Sequence, residues 1–137
     1  MLMLKTNYLE TLPGFLVFFG VALALLAVFA ATYIWITPHK EFALIRAGNT
    51  AVATSFSGAI IGFVIPLASV IANSLNIIDM LVWSAVAMIV QIAVFAVARL
   101  FMPELLKSIE AGQIAPAATL AAFSLAIGIL NAACMVY

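Results

Sequence analysis

TLPGFLVFFGVALALLAVFAATYIWITP, residues 11–38, contains no Asp, Glu, Lys or Arg. A helix rises about 1.5 Å per residue, so about 20 apolar residues cross about 30 Å of hydrocarbon. The stretch exceeds the apolar core of a cleaved signal peptide, about 7–15 residues. It also has an internal copy at Val82–Phe101, and is therefore read as a retained span. Three further runs, Ala47–Ile78, Met80–Ala98 and Ala111–Tyr137, likewise lack charged residues. The expectation is an all-α membrane protein with four transmembrane helices in a single membrane domain covering residues 1–137.

The whole composition fits lipid rather than water. Apolar residues make up 68% of the chain and charged residues 7%, against about a quarter charged in soluble domains. The formal net charge is zero, which argues against nucleic acid as a partner and leaves no basic cluster for anionic lipid. Cys134 is the only cysteine, so no internal disulfide and no thiolate metal site are expected.

The second half of the chain repeats the first. Ile45-Arg46-Ala47-Gly48-Asn49-Thr50-Ala51 corresponds to Ile109-Glu110-Ala111-Gly112-Gln113-Ile114-Ala115, and Pro38 to Pro103 one residue out of step. Each copy reads as span, proline, short amphipathic stretch, glycine, span, with repeat one at about 14–73 and repeat two at about 79–137. The prolines suit a first helical position, with Thr37 as an N-cap. Gly48 and Gly112 suit the left-handed position that ends a helix. Phe42 and Ile45, and Leu105, Leu106 and Ile109, lie at helical spacing among charges, as in a short interfacial helix. Lys40, Arg46, Arg99 and Lys107 flank the two connections within the repeats, whereas the other side has only Lys5. The positive-inside rule then places both connections in the cytoplasm and both termini in the periplasm. The fold expected is two parallel-repeat helical hairpins.

Several residues stand out inside the spans. Thr50, Thr54, Gly58, Gly62 and Pro66 are four apart on the second span, and Ala118, Ala122 and Ala126 occupy the corresponding places on the fourth. Small residues at this spacing form a groove for close helix packing, within one chain or between copies. Pro66 lacks an amide hydrogen and clashes with the carbonyl at Gly62, which must then find another donor in lipid. Gln91, near the middle of the third span, is the candidate donor, as interhelical glue or as a ligand lining a path. Asn131, Asn73, Asn76 and Ser69 fall in the outer third, Arg99 snorkels, Asp79 reads as an N-cap, and His39 reads as a solvated loop histidine. Arg46 and Glu110 occupy equivalent positions and form a charge pair at the cytoplasmic boundary if they lie near the axis relating the copies.

No enzyme constellation appears. One histidine, no intramembrane carboxylate pair and no phosphate loop leave acid–base, metal and nucleotide chemistry without parts. No catalytic residue, cofactor or metal is expected.

Ile36-Thr37-Pro38-His39-Lys40-Glu41, Gly48-Asn49-Thr50-Ala51, Phe56-Ser57-Gly58, Ile65-Pro66-Leu67, the Gln91…Arg99…Met102-Pro103 track and Asn131-Ala132-Ala133-Cys134-Met135 resemble the YjfL-type bacterial inner-membrane proteins, domain-of-unknown-function family 350. The resemblance covers nearly the entire chain. It implies a tandem two-helix repeat in the bacterial inner membrane and envelope-stress proteins as partners, and carries over no catalytic residues. Two functions remain open: a non-enzymatic oligomeric or partner-docking subunit of the envelope, and a channel or small-solute transporter with a path lined by the second and third spans.

Overall fold

The computed structural model describes residues 2–37 and 40–135. Pro38, His39 and Tyr137, and the roles assigned to them above, lie outside the described residues. Six helices follow in order: α1 (Leu2–Ile36), α2 (Glu41–Arg46), α3 (Thr50–Asn73), α4 (Ile77–Phe101), α5 (Leu105–Glu110) and α6 (Ile114–Cys134). Leu9–Ile36, Thr50–Asn73, Ile77–Phe101 and Ile114–Cys134 are long and apolar enough to cross a membrane. Helix α1 begins upstream of the expected residue 14 and takes Pro13 inside it.

The short helices α2 and α5 end alike. Gly48 and Gly112 have φ of 90° and 89°, the left-handed region that glycine enters without a Cβ penalty. The following amides reach back, Asn49 to the Leu44 carbonyl at 2.9 Å and Gln113 to the Ser108 carbonyl at 3.0 Å. This is the Schellman closure, which satisfies carbonyls left over at the helix end. The helix starts differ from the sequence reading. Thr37 does not cap α2; its hydroxyl donates to the Tyr33 and Ile34 carbonyls at 3.1 Å and closes α1 instead. The α2 N-cap is Lys40 and the α5 N-cap is Glu104, so Pro103 lies outside α5. Asn76, not Asp79, caps α4: its side chain accepts from the Asp79 amide at 2.8 Å. Asp79 in turn accepts from the Leu75 amide at 3.3 Å.

Helices α3 and α6 form the spine of the bundle. Contacts climb both helices together, from Asn49 with Glu110 through Gly58 with Ala121 to Ser69 with Ala132, so the two run parallel. Helix α4 packs along them with Met80, Ser84, Ala87, Gln91, Phe95 and Ala98 inward, the three-and-four spacing of one helix face. Helix α1 attaches by aromatic rings. Phe29 stacks on Phe63 with centroids 4.6 Å apart, and Tyr33 meets Phe56 and Phe95 at 5.8 and 5.5 Å. Most of the remaining α1 surface faces outward, where lipid is the solvent.

Candidate functional site

The polar centre of the bundle is built on missing atoms. Pro66 supplies no amide to the helix ladder, so the Gly62 carbonyl lacks its usual partner. Gln91 provides one: its amide nitrogen donates to the Gly62 carbonyl at 2.9 Å and to the Ser124 carbonyl at 3.1 Å. One side chain of α4 thereby joins α3 and α6. The amide is 3% exposed, so the clasp lies where each unmade backbone bond is costly.

The clasp needs the two backbones close together. A Cβ on Gly62 would stand 2.5 Å from the Ser124 carbonyl oxygen, and one on Gly58 would stand 2.5 Å from the Ala121 Cβ. A Cβ on Gly128 would collide with the Gly62 carbonyl. Thr54, Gly58, Gly62 and Pro66 were expected on one packing groove. Gly58, Gly62 and Pro66 are buried; Thr54 is half-buried, its hydroxyl donating to the Thr50 carbonyl at 2.7 Å.

The α6 side of the groove is different from the sequence reading. Ala118, Ala122 and Ala126 are exposed. The buried residues of α6 are instead Ala117, Leu120, Ala121, Ser124 and Gly128, and Ala121, Ser124 and Gly128 lie against the α3 glycines. Gly128 lies against the Gly62 carbonyl, where a Cβ would collide; the alanine stripe has no glycine.

The Arg46–Glu110 pair does not form. Both side chains are exposed, and no ion pair joins them among the described residues. At that level the halves are tied instead by Asn49, whose side chain accepts from the Val52 amide at 3.1 Å and donates to the Glu110 carbonyl at 2.9 Å. Arg99 is exposed and stands over the Phe95 ring at 5.9 Å. Asn131 is half-buried, and nearby Ser69 donates to the Ala132 carbonyl at 3.5 Å.

Four buried polar residues escaped the sequence reading: Glu41, Ser55, Ser84 and Ser124. Glu41, in the first turn of α2, is 1% exposed and lies close to Tyr33. Spacing among charges points instead to Phe42, which is exposed although its ring edges onto Phe56 at 5.6 Å. Ser84, seven residues before Gln91 on the same α4 face, is fully buried. No group of three His, Cys, Asp or Glu side chains suited to a metal occurs among the described residues.

Four long apolar helices, locked at mid-depth by a buried amide, define a polytopic α-helical membrane protein. Residues 7–135 match the model of the family described as Domain of Unknown Function (DUF350), and the chain belongs to that family. The inner membrane protein YjfL of Escherichia coli (strain K12) is 40% identical over 131 residues, which cover 96% of this chain and 99% of that protein. Its counterpart in Escherichia coli O157:H7 shows the same identity and coverage. No solved structure matches the chain. With its four spans, the chain is a multi-pass inner-membrane protein.

Proposed function

We propose that this protein is a non-enzymatic membrane subunit that works by docking other membrane helices, a second copy of itself first, with both termini in the periplasm. The observation that carries the reading is the position of Ala118, Ala122 and Ala126. They form a small-residue stripe on the outer surface of α6, unused by the packing inside the chain. Helices in lipid associate where small side chains let backbones approach, since apolar surface alone gives no preference for helix over lipid. The interior supports the same reading. The Gln91 amide nitrogen donates to two carbonyls and Ser84 is fully buried, which supports a packing role for the α4 polar face.

The test is cysteine cross-linking in native membranes, in a Cys134→Ala background. Ala122→Cys is expected to give a covalent dimer on oxidation, and Ala121→Cys on the internal face is not. If Ala118→Cys, Ala122→Cys and Ala126→Cys all stay monomeric, the stripe faces lipid and self-docking is wrong. Topology is checked separately. Reporter fusions at Tyr137 should read periplasmic, and those after Lys40 or Lys107 cytoplasmic, following the basic-residue bias.

A further inference from the structure

The outer surface carries a cavity of about 700 Å³ between α4 and α6. Its walls include Val94, Ala98 and Phe101 from α4 and Thr119, Phe123 and Ile127 from α6. Phe101 and Phe123 are exposed at its rim, so it opens sideways rather than inward. It occupies the half of the bundle nearest α5. Val90 and Ile127 carry its lining to the level of the 3.1 Å hydrogen bond from Gln91 to the Ser124 carbonyl, and Phe101 and Met102 to the α5 end; this side-opening space is the wedge.

The sequence correspondence between the halves shows what fills the matching space elsewhere. Gly48 with Gly112 sets Ile127 at the place of Phe63, and Pro38 with Pro103 sets Val94 and Ala98 at the places of Phe29 and Tyr33. In the first half those three rings pack the gap between α1 and α3, Phe29 and Phe63 stacked at 4.6 Å. In the second half smaller aliphatic side chains stand there, and the gap is open. A gap that stacked rings fill is too narrow for another helix, whose axis must stay about 8–10 Å from its neighbour. It suits a polymethylene chain lying along the helices. Every lining residue but Thr119 is apolar. Lys107, exposed on α5, the helix that follows the Phe101 end of α4, is a cation for a phosphate.

From this comparison we propose that the wedge binds one acyl chain of a phospholipid from the leaflet on the α5 side, doing for the second half what Phe29, Tyr33 and Phe63 do for the first. The test is spin-label spectroscopy of the full chain in vesicles of phosphatidylethanolamine and phosphatidylglycerol, with a trace of phosphatidylglycerol labelled toward its acyl terminus. The number of motionally restricted lipids per chain is read. Transplanting the rings, as Val94→Phe, Ala98→Tyr and Ile127→Phe together, should lower that number by one. Val82→Phe with Val86→Phe, on exposed α4 surface outside the wedge, should leave it unchanged. Ala93→Phe, a single exposed substitution on the wall, should also lower it, and keeps the test intact if the triple variant does not fold. An unchanged number in the wedge variants overturns the proposal. So does a change in oligomer size without loss of a restricted lipid, which would assign the wedge to a protein side chain.

Discussion

Helix α3 has two neighbours that it holds by opposite means. Against α6 it presents Gly58 and Gly62, and the backbones approach until no Cβ fits. Against α1 it presents Phe56 and Phe63, and large rings hold the helices apart. In water both seams would gain from burying apolar surface. In lipid that gain vanishes, and what remains is dispersion, hydrogen bonding and shape. The α3–α6 seam uses all three: close approach exposes carbonyls to Gln91, and Gln91 closes them. The α1 seam rests on ring packing, with Tyr33 also hydrogen-bonded to Ser55. The first is therefore intolerant of added atoms and the second of removed ones.

The largest expected effect tests that contrast at the glycines. Gly62→Leu drives a branched side chain into the Ser124 carbonyl. Overpacking costs about 1–3 kcal/mol and occasionally more, and here the obstacle is backbone, so folded yield from detergent should collapse while insertion persists. Gly20→Leu, where nothing lies within 4 Å, should behave as wild type. Equal behaviour of the two variants would erase the close seam.

Phe63→Ala comes next. Ring deletion in a soluble core costs about 3–5 kcal/mol; without the water-transfer share, about 2 kcal/mol is expected in lipid. Thermal melts in detergent should show α1 loosening first, read as earlier proteolysis near Trp35. A melt in which all helices loosen together would make α1 part of the same cooperative unit as α6.

Gln91→Leu should cost about 0.6–2 kcal/mol, the range for interhelical hydrogen bonds in membranes. Paired with Pro66→Ala, which restores an amide for the Gly62 carbonyl, the loss should shrink. Strict additivity in that double-mutant cycle would mean that Gln91 is not compensating for Pro66.

The smallest effect belongs to the charges. Arg46→Glu, Glu110→Arg and the double swap should each change stability by about 0–0.5 kcal/mol, with no coupling, because both side chains stand in solvent. Recovery in the double swap would place them in contact.

The spans were legible because hydrocarbon thickness demands length and excludes charge, a constraint visible in every run. Gly48 and Gly112 were legible because a left-handed helix end selects glycine. Gln91 with Gly62 was legible because Pro66 creates a need that one nearby residue can meet. The facing of α6 was not. In lipid the outside of a helix is as apolar as its inside, so Ala118, Ala122 and Ala126 differ from Ala117, Ala121 and Ser124 by no polarity signal. The one mark was Gly128, four residues beyond Ser124. Glu41 was hidden for the converse reason: among Lys40, Arg46 and the headgroups a carboxylate looks solvated, and only tertiary packing buries it.

If α3, α4 and α6 close on one another as proposed, no water reaches the side chains between them. Ser84→Cys and Ser124→Cys, each in a Cys134→Ala background, put a thiol at positions that are 0% and 3% exposed. Small charged methanethiosulfonate reagents, added to vesicles from either side, need water to reach a thiol. Neither cysteine is expected to be modified until the protein is denatured. Labelling of either one in the folded protein would show water between these helices and contradict that closure.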